Sequence, residues 1–489
     1  MKEVLIIYTE RIISVFIGFL ISFLIINYFS PYYYGIYKYV ISIASMFVIF
    51  LMFGFNGANV RYIPEYLVNK EYEKISFQIS LFFIIQIVAI SISSLAIYYL
   101  LFHNIIKLDE EISEEYVFIL FFMYYLKSYF AESLLVAFSK RIILTSLRIV
   151  LYFLQLAIVY YALSLNVNIN DFIYYIVTFS IIETLILIIS LLSVYKNMVP
   201  TNKIKKFKIA KQLTYSFHNY GFMVVNFLRD NAATIIVVTY LFDYHEVAYY
   251  SIALILPNIL RGFSPSKVFN GLIMPEFVKN YKINNDKQVV FEGLNFMSKL
   301  NLIFLIPAII YSIFMYQVVI ENFFSFEYAA NTFYLSMFLF LNILLLSYLD
   351  LNILASNILE KSNLVFNLNL FSISNIVLLI ALSDIGRLSI GIASLVSTFL
   401  TVLAFWIILK KHFNNRINFY FLNKHILIYF IFLLGASFGL FYVDIYIYMV
   451  GFFIVTIVSM KYLMKTDFIE IKERDFLKSK LPQKCKRWI

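Results

Sequence analysis

The sequence predicts an all-α polytopic membrane protein with about 14 transmembrane helices. Three observations carry this reading. Of the 489 residues, 62% are hydrophobic and only 14% are charged, too little charge to cover the surface of a soluble chain. Apolar runs of about 20 residues, enough to cross the hydrocarbon core as helix, recur from end to end. The cations collect in the short breaks between those runs, where the positive-inside rule explains a net charge of +10 without nucleic acid.

Taken in order, the runs place spans near 8–29, 37–59, 76–102, 115–138, 144–165, 172–195 and 215–241. They continue near 247–274, 294–320, 332–356, 363–383, 388–409, 426–443 and 445–463. The first run (Ile12 to Phe29) is too long for a signal-peptide core and lacks a small-residue cleavage site, so it reads as a retained span. Even-numbered breaks hold 20 Lys and Arg, among them Arg61, Lys70 and Lys74, and the tail from Lys461 adds nine. Odd-numbered breaks hold only Lys38, Lys107 and Arg387, and "LDEEISEE" at 108–115 is acidic. This asymmetry puts both termini in the cytoplasm.

The largest internal basic break, "YKNMVPTNKIKKFKIAKQ" at 195–212, divides the chain into halves. The expected domains are an N-lobe at 1–195 (spans 1–6), a linker at 196–214 and a C-lobe at 215–409 (spans 7–12). Spans 13 and 14 follow at 410–463, peripheral to the lobes. A basic cytoplasmic tail at 464–489 is expected to lie on the anionic leaflet. A weak repeat supports two six-helix lobes. "YFSPYYYGIYKYV" (28–40) aligns with "LFDYHEVAYYSIA" (241–253), Phe55-Asn56-Gly57 recurs as Phe269-Asn270-Gly271, and Pro64-Glu65 recurs as Pro275-Glu276. Spans 1 and 7 run in the same direction, so the repeat implies a pseudo-twofold along the membrane normal.

Enzyme chemistry finds little footing. There is no P-loop motif, no GxGxxG and no HExxH; the five His are scattered, and Cys485 is the only cysteine. No cofactor, metal site, catalytic residue or nucleic-acid partner is expected. The informative residues are charges within spans, which are costly there and face a cavity or a partner. These are Lys127 in span 4, Glu183 in span 6, Arg229 and Asp230 in span 7, Arg261 in span 8 and Asp350 in span 10, with Glu132 and Lys267 nearer the cytoplasm. Lys127, Arg229 and Arg261 suggest a positive chamber for an anion, because guanidinium binds phosphate oxygens bidentately and lysine acts as a point charge. On a continuous helix, Arg229 and Asp230 point about 100° apart and cannot serve one partner. Glu183, Asp230 and Asp350 are candidates for ion coupling. Arg11, at the entry of span 1, is a further candidate, against a headgroup contact. The competing reading of every such charge is pairing between helices that only fixes packing. Pro257, Gly262, Pro265 and Pro307 mark kinks or hinges, and Tyr32 to Tyr34 read as an interfacial aromatic belt.

"YYYGIYKYVISIASMFVIFLMFGFNGANVRYIPEYLVNKEYEK" (32–74) resembles the first-hairpin signature of polysaccharide-transport flippases: a G-x-Y opens span 2, and R-[FY]-I-P-E-Y follows it. "DNAATIIVVTYLFDYHEVAYYSIA" (230–253) is similar to the span 7–8 region of the same O-antigen-unit (Wzx-type) family, within the multidrug/oligosaccharidyl-lipid/polysaccharide exporters. The resemblance implies a bacterial inner-membrane flippase. Its expected cargo is an undecaprenyl-pyrophosphate-linked oligosaccharide for O-antigen, capsule or exopolysaccharide, moved by alternating access of two lobes. Membrane lipids are expected partners, and polysaccharide polymerase machinery is a candidate one. On that reading Lys127, Arg229 and Arg261 attract the pyrophosphate. The rivals are a drug or cation antiporter of the same superfamily, whose chamber should be acidic or aromatic, and a lipid II flippase. A glycan polymerase would need a long external loop that this chain lacks.

Overall fold

In the computed structural model, the chain is helical and no strand occurs among the described residues. The structure describes residues 2–103, 106, 108–199, 210–267, 287–359, 361–414, 417–420, 423–441, 445–466, 468–470 and 473. They form two compact units, Met1–Ser251 and Ile252–Ile489. The second copies of the Phe-Asn-Gly and Pro-Glu repeat, most of the 196–214 linker, and Cys485 lie outside the described residues.

The first unit contains α1 (Lys2–Tyr28), α2 (Pro31–Leu51), α3 (Phe55–Val68), α4 (Tyr72–Phe102) and α5 (Glu114–Tyr125). A π-helical segment (Leu126–Glu132) continues α5 into α6 (Ser133–Ala137). There follow α7 (Arg141–Ser164), α8 (Ile169–Met198), α9 (Ala210–Phe227), α10 (Asn231–Leu241) and α11 (Tyr244–Ala253). The second unit contains α12 (Ile255–Phe263), α13 (Lys287–Phe323), α14 (Phe326–Ile358), α15 (Ser362–Asn369), α16 (Ser374–Ala381), α17 (Leu388–Phe413), α18 (Lys424–Phe441) and α19 (Ile445–Lys465).

Among the described residues, eight helices are long and apolar enough to cross a membrane, and the pair α9 and α10, bent by 46°, makes a ninth span. These nine correspond to expected spans 1, 3, 5, 6, 7 and 9–12. The chain is therefore a multi-pass membrane protein. Expected spans 2, 4 and 8 are interrupted helices, and spans 13 and 14 are shorter apolar ones. Hydropathy sees apolarity but not backbone torsion, so these interruptions were invisible as runs of residues.

Local chemistry explains the interruption of span 2. Ser30 caps α2 by accepting from the Tyr33 amide, and Pro31 opens the helix, where its missing N–H costs nothing. The helix ends at Leu51. Phe53 (φ 43°) and Gly54 (φ 68°) then turn left-handed before α3 begins. A Cβ on Gly54 would lie 2.0 Å from the Ser216 carbonyl oxygen, so only glycine fits. The Gly of the G-x-Y motif has a similar cause, since a Cβ on Gly35 would lie 1.9 Å from the Tyr244 carbonyl oxygen. The two turns that the repeat aligns thus pack against each other. Tyr32 and Tyr33 do more than form a belt: their hydroxyls donate to Asp109 (2.6 Å) and Glu111 (3.2 Å) of the acidic loop, and Tyr34 is buried.

In the second unit, α13, α14, α17, α18 and α19 share one apolar core that includes Leu294, Phe405, Leu433 and Tyr448. The start of the tail belongs to this unit rather than to a leaflet surface. Phe468 and Ile469 are buried. Buried Lys299 of α13 reaches Glu473 at 2.9 Å and Glu470 at 3.4 Å. The rings of Tyr420 and Phe468 stand 5.3 and 5.9 Å from its ammonium. A lysine taken out of water needs such partners, and the acidic part of the tail supplies them. Removing the enclosed Glu473 (Glu473→Ala) should destabilise the purified protein by about 1–3 kcal/mol. The 68% exposed Glu470 should matter by under ~0.5 kcal/mol when replaced with Ala. Thermal melting in detergent checks this; equal drops for the two variants would contradict the assignment.

Candidate functional site

Without water to satisfy it, irregular backbone at membrane depth persists only where protein or a water-filled cavity covers it. The breaks in α2/α3, α5/α6 and α9/α10 all lie in the first unit, and these elements are neighbours: α2 packs on α5 and α10, and α3 on α6 and α9. The charged residues are distributed around them.

Lys127 sits in the π-helical segment, a form frequent at functional positions. Its ammonium lies 2.7 Å from Glu183 on α8, whose side chain is only 8% exposed. Beyond it, Arg148 of α7 pairs with Glu132 at 2.9 Å. One turn further along α7, the Tyr152 hydroxyl donates to Glu10 at 3.3 Å, tying α7 to α1. Arg11 is partly buried and has no carboxylate within ion-pair distance among the described residues.

Arg229 and Asp230 do not occupy successive positions of one helix, so the 100° argument does not apply to them. They form the break between α9 and α10. The Arg229 guanidinium donates to the side-chain oxygen of Asn226. Asp230 is exposed and caps α10, accepting from the Asn231 amide at 2.7 Å. An aspartate at that position satisfies an amide that would otherwise be orphaned in the membrane.

In the second unit, Asp350 of α14 sits between two cations from the end of expected span 8. Arg261 approaches one oxygen at 3.6 Å and Lys267 the other at 3.2 Å. The helix stops at Phe263, and Ser264 is extended (ψ 137°). The Ser266 amide donates to buried Asn301 at 2.9 Å. Two donors in this region are buried without hydrogen-bond partners, Arg261 Nε and Asn301 Nδ2. The cluster carries a net positive charge and unfilled donor capacity.

The structure therefore pairs Lys127 with Glu183 and Arg261 with Asp350. Lys127 and Arg229 belong to the first unit and Arg261 to the second. One residue escaped the sequence reading. Lys38, counted there among the outer-loop cations, lies inside α2. Its ammonium stands over the rings of Tyr34 (5.2 Å) and Tyr37 (5.7 Å). Among the described residues no carboxylate pairs with it. The signal was present in "YYGIYK", where Tyr34 precedes Lys38 by four residues, one helical turn. Among the described residues there is no cluster of His, Cys, Asp and Glu suited to a metal.

Residues 1–266 match the family described as "Polysaccharide biosynthesis protein". The chain belongs to that family. Its fold is that of solved membrane transporters. A structure titled "Lipid II flippase MurJ, inward closed conformation" aligns with a TM-score of 0.68 at 18% identity, covering 94% of this chain and 99% of that one. A point mutant of the Vibrio cholerae MATE transporter VcmN aligns with a TM-score of 0.56 at 13% identity, covering 84% and 96%. No curated protein sequence matches.

The Lys127–Glu183 pair has a direct thermodynamic test. Lys127→Met leaves a buried carboxylate alone and should lower stability by about 3 kcal/mol. The double variant Lys127→Met/Glu183→Gln should recover at least half of that loss, as thermal melting would read. Losses that simply add would contradict the pairing.

Proposed function

We propose that this protein is a flippase that carries undecaprenyl-pyrophosphate-linked oligosaccharide units across the bacterial inner membrane, for O-antigen, capsule or exopolysaccharide synthesis. Transport proceeds by alternating access of two lobes, 1–195 and 215–409, with both termini in the cytoplasm. Family membership supports the polysaccharide context, and the likeness of fold to a flippase and to a MATE transporter supports movement of cargo rather than its transformation. The positive-inside count supports the orientation. With Lys38 inside α2, the outer breaks keep only Lys107 and Arg387.

The observation that carries the reading is the cluster of Arg261, Lys267 and Asp350. A single carboxylate holding two cations at 3.6 and 3.2 Å leaves one positive charge uncompensated within a membrane-spanning unit. That excess, with the free Arg261 Nε, suits a pyrophosphate and disfavours a cationic drug. Lys127, Arg229 and Arg11 are assigned supporting contacts to the anionic cargo. Glu183, Asp230 and Asp350 are the carboxylates available for ion coupling; Asp350 must also release its cations when the anion arrives. The lipid tail stays in the bilayer throughout.

Complementation of a deletion strain tests the proposal, with surface polysaccharide measured against protein level. Arg261→Ala and Lys267→Ala should each weaken cargo recognition about 10–100-fold, the worth of one charge-assisted contact at ~1.5–3 kcal/mol. Arg261→Glu should abolish recovery. Wild-type recovery by Arg261→Glu would contradict the role given to this cluster. Restored lipid II transport or altered drug resistance without surface glycan would favour a rival cargo.

A further inference from the structure

The polar seam between α3 and α9 differs in kind from the apolar packing of the second unit. It begins at the left-handed Phe53–Gly54 turn, where the Phe53 and Tyr220 rings lie 5.3 Å apart. The Asn219 amide then donates to the Gly54 carbonyl at 3.3 Å and to the Asn56 side chain at 3.4 Å, across a Gly57 that leaves it room. Further along, Tyr62 meets Tyr215 with ring centroids 5.9 Å apart, and Gln212 donates to the Tyr66 hydroxyl. The seam thus runs antiparallel from the break in span 2 to the "RYIPEY" signature.

Its contacts are weak for a permanent interface. The Asn219 bonds are near the long limit for N–H···O. Two buried polar atoms in the seam, Gln212 Oε1 and Ser216 Oγ, have no hydrogen-bond partner. Folded proteins rarely leave such atoms unpaired where nothing ever relieves them. Strained backbone of the Phe53 kind also concentrates at elements that move. On the other side, α3 is held differently: Gln78 of α4 donates to Asn59 at 2.9 Å, a buried bond of ordinary length.

We propose that this seam is the cytoplasmic gate of the transporter, with α3 swinging from α9 about the Phe53–Gly54 hinge and Asn219 as its principal latch. The proposal rests on the alternating-access reading above. Opening would expose Ser216 and Gln212 to water, which supplies the missing partners, so closed and open states differ little in free energy. The short helix with its proline is then a rigid flap: Pro64 sits within α3 rather than ending it, and the exposed Arg61 and Glu65 face away from the seam's buried side.

The test uses the full chain carrying Cys485→Ser, which removes the only native thiol. Spin labels at Arg61→Cys and Lys211→Cys, both exposed, report the separation of α3 and α9 in proteoliposomes. We expect two distances, with the longer one gaining at least threefold in population when Asn219→Ala is added. A single distance that Asn219→Ala leaves unchanged would overturn the gate. In cells, disulfide formation between Tyr62→Cys and Tyr215→Cys should cut delivery of labelled glycan to the surface at least tenfold, reversibly with dithiothreitol. Undiminished delivery by verified cross-linked protein would also overturn it. If two distances appear but the Cys485→Ser protein never restores surface glycan in a deletion strain, the cargo assignment fails and the gate stands.

Discussion

An unsatisfied backbone amide in hydrocarbon costs several kcal/mol, and that constraint organises the molecule. It forces the chain into helices and confines each interruption to places where protein supplies partners. The break between α9 and α10 survives because Asp230 caps the second helix, and the one between α2 and α3 because Gly54 fits beneath the Ser216 carbonyl. The same rule applied to side chains pairs Lys127 with Glu183 and Lys299 with the tail carboxylates. Where pairing is incomplete, at Arg261 and along the α3–α9 seam, the structure points to function.

Much of the architecture was legible in the sequence, because apolar length is a strong signal and the bilayer admits few alternatives. Each expected span meets a helix or helical segment. The continuity of those spans was not legible. Spans 2, 4 and 7 read as unbroken runs because Phe53, Leu126 and Leu228 are as apolar as their neighbours; torsion and a π-helical register leave no mark on hydropathy. Arg229 and Asp230 were found as charges but misplaced in geometry for this reason.

The candidate site was legible in its residues and less so in its pairings. Asp350 and Arg261 are 89 positions apart, and nothing in the chain order announces that they meet, with Lys267 as third member. Lys38 was hidden by its nearness to a predicted loop boundary, although its tyrosine one turn away could have placed it on a helix. The acidic segment of the tail looked like solvated surface. Its role as counter-charge became visible only once Lys299 was seen to be buried. The signature at 61–66 reads as the far end of a polar seam, which gives its proline and aromatics a structural cause.

The central claim is that the chain moves a lipid-linked glycan between leaflets. It is tested most directly by the leaflet distribution of undecaprenyl-linked repeat units in cells with and without the protein. The account predicts that deletion traps these units on the cytoplasmic leaflet and that the intact chain returns them to the outer one. An unchanged distribution, with surface glycan intact and drug sensitivity altered, would contradict it.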